Sequence, residues 1–276
     1  MLLSVLICTL NEGIKDVAQI LLPKRDDVNY IISFQYTEEY YLSLIPDLLS
    51  LRDDVAVHTL RGKGLSINRN NALMYATGDI ALIADDDVRY KDEYFDTILK
   101  TFQEHTDVDI ALFRAKSYDG EWLKKYPEYS YDYIDGPKDN YPCSLEIVFR
   151  KSVYDRGVRF DSRFGLGSDY LASGEEDVIL EDALKAKLKV VYFPEVIVET
   201  DDNTTGLRFL LDERVQRSKG AVFFYCHGFS GALFRCIKES LYHAIYSYAN
   251  PFRLLKNMYD GIEYCRKTNK TLIYLL

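Results

Sequence analysis

Residues Ala81-Leu82-Ile83-Ala84-Asp85-Asp86-Asp87 constrain this chain more than any other stretch. Four apolar residues run directly into three carboxylates. Gly78-Asp79-Ile80 in front of them reads as a turn feeding a short buried strand. A strand that ends in acids delivers them to the carboxyl edge of a sheet, where open α/β folds bind ligands. Side chains alternate along a strand, so Asp85 and Asp87 share one face and Asp86 takes the other. Two carboxylates on one side repel unless a cation sits between them. Oxygen-only donors suit Mg²⁺ or Mn²⁺, which combine one or two carboxylates with substrate phosphates. A solvated acidic turn is the plainer alternative.

The rest of the pattern alternates. Strands are expected at residues 3–9, 28–34, 55–59, 80–84, 109–115, 144–150 and 189–193. Helices are expected at 13–22, 38–51, 66–76, 92–105 and 177–186. Such alternation predicts an α/β fold with a mostly parallel central sheet and helices on both faces. Residues 117–142 break the rhythm: they are polar, punctuated by Gly and Pro, and rich in aromatic residues. They read as an irregular insertion over the site that carries Trp122, Tyr129, Tyr131 and Tyr133.

The chain of 276 residues is long enough for one large α/β domain with an appendage. A net charge of −9 argues against a general nucleic-acid binder. Cys8, Cys143, Cys226, Cys236 and Cys265 are scattered without metal spacing, as free thiols in a reducing cytoplasm would be. No apolar run reaches the length of a membrane span, and Leu2 to Leu10 reads as a buried first strand rather than a signal peptide. Charge is uneven, however. Residues 230–276 hold seven Lys/Arg and three acids, a net +4, which leaves −13 for the remainder. Interleaved with those cations are Phe234, Leu241, Tyr242, Ile245, Tyr246, Tyr248 and Phe252. The mix suits an amphipathic segment on an anionic membrane surface, or two packing helices broken at Asn250-Pro251.

Several segments recur in a telling order: Thr9-Leu10-Asn11-Glu12, then Gly64-Leu65-Ser66-Ile67-Asn68-Arg69-Asn70, then Asp85-Asp86-Asp87, then Gly174-Glu175-Glu176-Asp177. Together they resemble the inverting, nucleotide-sugar-dependent glycosyltransferases of family 2, of bacterial surface-polysaccharide type, over roughly residues 1 to 200. The resemblance implies a GT-A-type, Rossmann-like catalytic domain at 1–205. Residues 1–115 would be its nucleotide-binding half and 116–205 its acceptor half, with a helical C-terminal extension at 206–276. It implies transfer from a nucleoside-diphosphate sugar, UDP-linked by preference, to a saccharide or lipid-linked saccharide with inversion. Location would be cytoplasmic, at most peripheral on the inner membrane face.

The resemblance also implies roles. Asp87 is the metal ligand for Mn²⁺ or Mg²⁺, with Asp85 on the ribose or the metal. Thr9, Asn11, Glu12, Lys63, Arg69, Asp85 and Asp86 lie on the nucleotide side. Asp177 is the general base, with Glu176 as its neighbour in the catalytic pair. Trp122 and Glu175 face the acceptor. Read from the residues alone, Arg69 can equally pair with nearby acids, and Asp177 can be a helix N-cap. Two departures stand out. Ile31-Ile32-Ser33-Phe34-Gln35 offers no acid after the second strand to read a base. Where the family often places a metal-binding His, this chain has Glu199-Thr200-Asp201-Asp202, so Glu199, Asp201 or His227 would complete the site. Two other classes share some of these features: a non-catalytic scaffold of the same fold, and a sugar-nucleotide pyrophosphorylase. The latter wants a Gly-rich basic loop after strand one, which Thr9-Leu10-Asn11-Glu12-Gly13 is not.

Overall fold

The computed structural model describes residues 1–137, 141–201 and 208–268. In chain order its elements are β1 (Leu3–Leu10), β2 (Val28–Tyr36), α1 (Asp47–Ser50), β3 (Val55–Arg61), α2 (Leu65–Tyr75), β4 (Ile80–Asp85), α3 (Asp92–Glu104), β5 (Ile110–Ser117), β6 (Tyr131–Asp132), β7 (Ile147–Arg150), α4 (Lys151–Asp155), α5 (Glu175–Lys185), β8 (Val190–Thr200), α6 (Glu213–Tyr246) and α7 (Pro251–Lys267). The eight strands form one sheet in the order β3-β2-β1-β4-β7-β5-β8-β6. Strands β3, β2, β1 and β4 are parallel, as are β5 and β8, while β7 and the two-residue β6 run against their neighbours.

The chain divides into two compact units. The first comprises Met1–Lys63, Ile67–Arg159 and Asp182–Asp202; the second comprises Gly64–Ser66, Phe160–Glu181 and Asn203–Leu276. In the first, β1 is buried from Leu3 through Thr9. A central parallel strand is covered on both faces, which is why its sequence is continuously apolar rather than alternating. Its Leu3, Val5 and Ile7 join Ile32 and Phe34 of β2, Leu82 and Ala84 of β4, and Phe95, Ile98 and Phe102 of α3 in one core. Burying each such side chain contributes about 1.5–3 kcal/mol.

Three expected elements come out differently, each for a local reason. The helix expected at 13–22 is a pair of 3-10 turns, Asn11–Lys15 and Val17–Gln19, entered through Asn11 at φ 52°. The helix expected at 38–51 is a 3-10 turn at Glu39–Leu44 followed by the single turn α1. Ile45, which precedes Pro46, is held extended (φ −62°, ψ 120°). The last strand does not stop before Pro194 but runs on to Thr200. Its pairing with β5 slips between Leu112↔Tyr192 and Arg114↔Val196, so a bulge absorbs a residue that has no N–H to give.

The insertion after β5 is anchored to the sheet. Glu146 accepts from Lys124 Nζ at 2.7 Å, from the Cys143 N–H at 2.8 Å and from the Tyr126 hydroxyl. Arg114 Nε donates to the Tyr192 hydroxyl at 2.8 Å, and its Nη2 donates to the Pro127 carbonyl.

In the second unit, Asn250 caps α7 by accepting from the Phe252 and Arg253 N–H groups at 3.0 and 3.2 Å, with Pro251 in the first turn. The break expected at Asn250-Pro251 is therefore present. Helix α6 carries an unforeseen interruption at Gly228 (φ 66°, ψ −177°), which splits it in two. Helices α6 and α7 approach at two glycines. A Cβ on Gly220 would lie 1.9 Å from the Met258 carbonyl oxygen, and one on Gly261 would lie 1.9 Å from that of Arg217. Among the described residues no helix is long and apolar enough to cross a membrane. Lys270, the last cation of the basic tail, lies outside the described residues, as does Asp202.

Candidate active site

Strands β1 and β4 are direct neighbours, with Cys8 opposite Asp85. Both therefore deliver their carboxyl ends to one edge, and β2 on the other side of β1 does the same. This edge gathers Thr9, Asn11 and the acidic triplet. The three acids are treated quite differently there.

Asp86 turns toward the β1 loop, where the Thr9 hydroxyl donates to its Oδ2. Gly13 makes room for it: a Cβ at that position would stand 2.0 Å from Asp86 Oδ2 and 2.6 Å from Thr9 Oγ1. Burial raises the Asp86 pKa, the Thr9 hydrogen bond lowers it, and Asp85 raises it. Asp85 instead faces Arg69, whose Nη2 lies 3.4 Å from Asp85 Oδ1 and donates to Ser144 Oγ at 2.6 Å. Arg69 is fully buried on α2, behind the acid rather than on the surface. Beside it, Asn68 Nδ2 donates to the Thr9 carbonyl at 3.0 Å.

For Asp87, the Tyr118 hydroxyl donates to the backbone carbonyl. Its carboxyl is raised by burial first, then by Asp85 and Asp86, and also by Asp201. Asp201 is brought near by an antiparallel backbone bridge in which the Arg89 N–H donates to the Glu199 carbonyl at 2.8 Å and the Glu199 N–H donates to the Arg89 carbonyl at 3.0 Å. Glu199 itself is committed elsewhere: its carboxylate holds Lys91 Nζ at 2.5 Å and the Tyr94 hydroxyl at 2.8 Å. Its carboxyl is lowered despite burial because those two partners favour the charged form.

This donor set fits a divalent cation that takes protein oxygens from one or two carboxylates and the rest from a diphosphate. Among the described residues no three His, Cys, Asp or Glu side chains form a ready-made cage. Asp87 and Asp85 are the pair that would hold it.

The other residues expected at the site are placed as follows. Asn11 Oδ1 accepts from the Thr37 N–H at 2.9 Å and the Thr37 hydroxyl at 3.2 Å, tying the end of β1 to the segment after β2. Glu12 is exposed and pairs with Lys15 at 3.7 Å. Lys63 is exposed between Gly62 (φ 125°) and Gly64 (φ 130°), where only glycine makes the turn without strain. Trp122 is partly exposed, with the Arg114 guanidinium 5.2 Å and Lys116 Nζ 4.8 Å from its ring and Tyr126 edge-on.

Asp177 belongs to the second unit. Helix α5 opens at Glu175, so Asp177 is its third residue and not its cap. Glu175 is buried, beside Gly165 and Ser66; a Cβ on Gly165 would lie 3.2 Å from atoms of both. Asp177 keeps an exposed surface. Surrounding protein nonetheless raises its pKa to about 6, with Lys219 pulling it down and Glu176 pushing it up. A carboxylate with a pKa near 6 suits a general base at neutral pH. His227, the alternative metal ligand, is an exposed residue of α6 in this second unit.

Gly13, Asn68, Tyr118 and Ser144 were not foreseen. Only Gly13 left a signal, as the one glycine in the loop after a buried strand.

Comparison with known proteins agrees with this geometry. The model of the family described as glycosyl transferase family 2 matches residues 4–159. No curated protein matches the chain. Among solved structures, S. aureus TarS is similar at 16% identity and TM-score 0.57, covering 89% of this chain; this chain spans 44% of that longer one. TarS 1-349 in complex with UDP is similar at 16% identity and TM-score 0.60, over 90% of this chain and 74% of that one. TarS 1-349 in complex with UDP-GlcNAc gives 13% identity and TM-score 0.61, over 97% and 92%. At such identities the likeness establishes the fold, and the expected GT-A-type architecture with a helical C-terminal part is borne out.

Proposed function

The chain belongs to glycosyl transferase family 2, and from that membership we propose a specific reaction. A sugar passes from a nucleoside-diphosphate sugar, UDP-linked, to a hydroxyl of a saccharide or lipid-linked saccharide, with inversion at the anomeric carbon. The observation that carries this reading is the sheet edge where β1 and β4 deliver Thr9 and the Asp85–Asp87 triplet together. The TarS complexes with UDP and UDP-GlcNAc support the choice of donor.

Asp177 takes the acceptor's proton as the acceptor oxygen forms its bond to the anomeric carbon. The bond from that carbon to the diphosphate oxygen breaks, and its electron pair leaves with the nucleoside diphosphate. Glu176 tunes Asp177 by raising its pKa, and Glu175 and Trp122 serve the acceptor. Asp87 and Asp85 would hold Mn²⁺ or Mg²⁺, which would neutralise charge on the leaving diphosphate. Thr9 orients Asp86, Arg69 orients Asp85, and Asn11, Glu12 and Lys63 complete the nucleotide side. The enzyme works in the cytoplasm, peripheral on the inner face of the membrane.

A thermal-shift panel of UDP, UDP-GlcNAc and other nucleotides, with and without Mn²⁺, tests the donor assignment. Stabilisation by UDP that grows with Mn²⁺ is expected. No shift with any nucleotide, together with no hydrolysis of any nucleotide sugar, would leave a scaffold of the same fold.

A further inference from the structure

The second half of α6 and the start of α7 present an apolar stripe to solvent. Phe234, Ile237, Leu241 and Ile245 recur at helical spacing on one face, and Tyr242 and Tyr246 flank them. Phe234 is 70% exposed, Ile245 67%, and at the turn Tyr248 is 94% and Phe252 82% exposed. Isolated exposed apolar residues are ordinary, but a contiguous row of this size marks an interaction surface. The opposite side of the same helices is already satisfied: Ala232, Cys236, Leu254, Met258 and Ile262 form a core of their own. The stripe is therefore surplus to packing.

The structure points to an anionic lipid surface as its occupant. Between Phe229 and Lys256 the charged side chains are Arg235, Lys238, Arg253 and Lys256, against the acid Glu239, and Arg253 is paired with Glu213 at 3.3 Å. Glu239 is 3.6 Å from His243 on the next turn. This basic zone sits in a chain whose net charge is −9. Lys238 and Arg235 follow the stripe on its Tyr242 and Tyr246 side, so cations and amphipathic aromatics border one apolar row. Tyrosine and basic residues bordering an apolar row are the composition of interfacial helices. A second copy docking through the same face would set these cations against each other, because a two-fold interface repeats one patch. An anionic membrane takes both the apolar row and its border. The exposed turn at Tyr248 and Phe252 gives the deepest point of insertion. The surface anchors the enzyme where a lipid-linked acceptor is found, and so rests on the acceptor reading above; lipid binding itself does not depend on the transfer reaction.

The full chain should co-sediment with phosphatidylglycerol-containing vesicles at low salt and be released as salt rises. It should stay in the supernatant with pure phosphatidylcholine, since each surface cation acts only within a Debye length. L241S/I245S/F252S should lose at least about tenfold in vesicle partition with an unchanged circular dichroism spectrum. R235Q/K238Q/K256Q should weaken partition about tenfold or more and flatten its salt dependence. Equal recovery of wild type in the supernatant with both lipids would overturn the inference. So would a dimer in sedimentation velocity that the L241S/I245S/F252S chain no longer forms, which would give the stripe to a second copy. UDP binding by the same variants in solution reports separately on the donor site, so loss of vesicle binding and failure of the glycosyltransferase reading are told apart.

Discussion

Asp177 offers the sharpest test, because its pKa and its neighbours make opposed predictions. Desolvation by the surrounding protein raises its carboxyl to about 6, while Lys219 lowers it and Glu176 raises it. With a pKa near 6, about nine-tenths of the base is ionised at pH 7 and about one-tenth at pH 5. Transfer under saturating donor should therefore fall roughly tenfold between those values. An ordinary aspartate would still be about nine-tenths ionised at pH 5, and the rate would be nearly flat. Lys219→Met removes a favourable cation and should move the inflection to higher pH; Glu176→Gln removes a repulsive anion and should move it lower. Asp177→Asn should cost on the order of 10²- to 10⁴-fold in turnover with donor affinity nearly unchanged. Stability gives an independent sign. A carboxyl raised in the native state holds its proton where the unfolded chain has lost it, between the ordinary aspartate value of 3.8 and about 6. Its contribution to stability is therefore present below that window and is lost as pH rises through it. Asp177→Asn should remove that decline. The assay is initial-rate transfer from pH 5 to 8, with calorimetric UDP binding at each pH. An inflection that moves in neither variant, or normal turnover in Asp177→Asn, would refute the assignment.

Asp87→Asn should abolish the Mn²⁺-dependent part of UDP binding while leaving the melting temperature at or above that of wild type, because it removes a like charge from Asp85 and Asp86; calorimetry with and without Mn²⁺ reads both. Gly13→Ala should cost about 1.5–3 kcal/mol in urea unfolding, since its Cβ would displace Asp86 from Thr9. Gly261→Ala should destabilise by about 1–3 kcal/mol or more through the Arg217 carbonyl 1.9 Å from the new Cβ, without changing UDP affinity. Glu199→Gln should lower the melting temperature by breaking its bonds to Lys91 and Tyr94 and leave Mn²⁺ binding intact, whereas Asp201→Asn should weaken Mn²⁺ binding; calorimetry reads both.

The strands that build the site were legible because a buried parallel strand writes itself as an unbroken apolar run. Leu3 to Thr9 and Ile80 to Ala84 could hardly be anything else, and the acids after Ala84 could only fall at a carboxyl edge. The pairings that tune those acids were not legible. Thr9 and Asp86 are 77 residues apart, and Arg69 and Ser144 are 75 apart. Nothing in local periodicity links positions at that distance. Other misses come from single residues that override a pattern. Pro194 reads as a stop but sits in a bulge that the strand passes through. Gly228 sits inside an apolar helical run yet interrupts α6. Helical periodicity at 13–22 gave way to 3-10 turns because Asn11 is tied to Thr37.

Three adjacent carboxylates at one strand end pose an electrostatic problem, and the way it is solved singles out one of them. Asp86 is satisfied by a hydroxyl and by a niche that only glycine leaves open. Asp85 is faced by a buried guanidinium, itself steadied by Ser144. The Asp87 carboxylate has its own backbone N–H as a donor, while burial, Asp85, Asp86 and Asp201 all push its pKa upward. A group left in that state is destabilised when ionised, and an arriving cation relieves exactly that destabilisation. The unequal treatment of the triplet is thus the reason Asp87, rather than either neighbour, is the residue through which metal and nucleotide binding should be coupled. The same logic explains why Glu199, already neutralised by Lys91, makes a poor ligand although it stands where a metal-binding residue was expected.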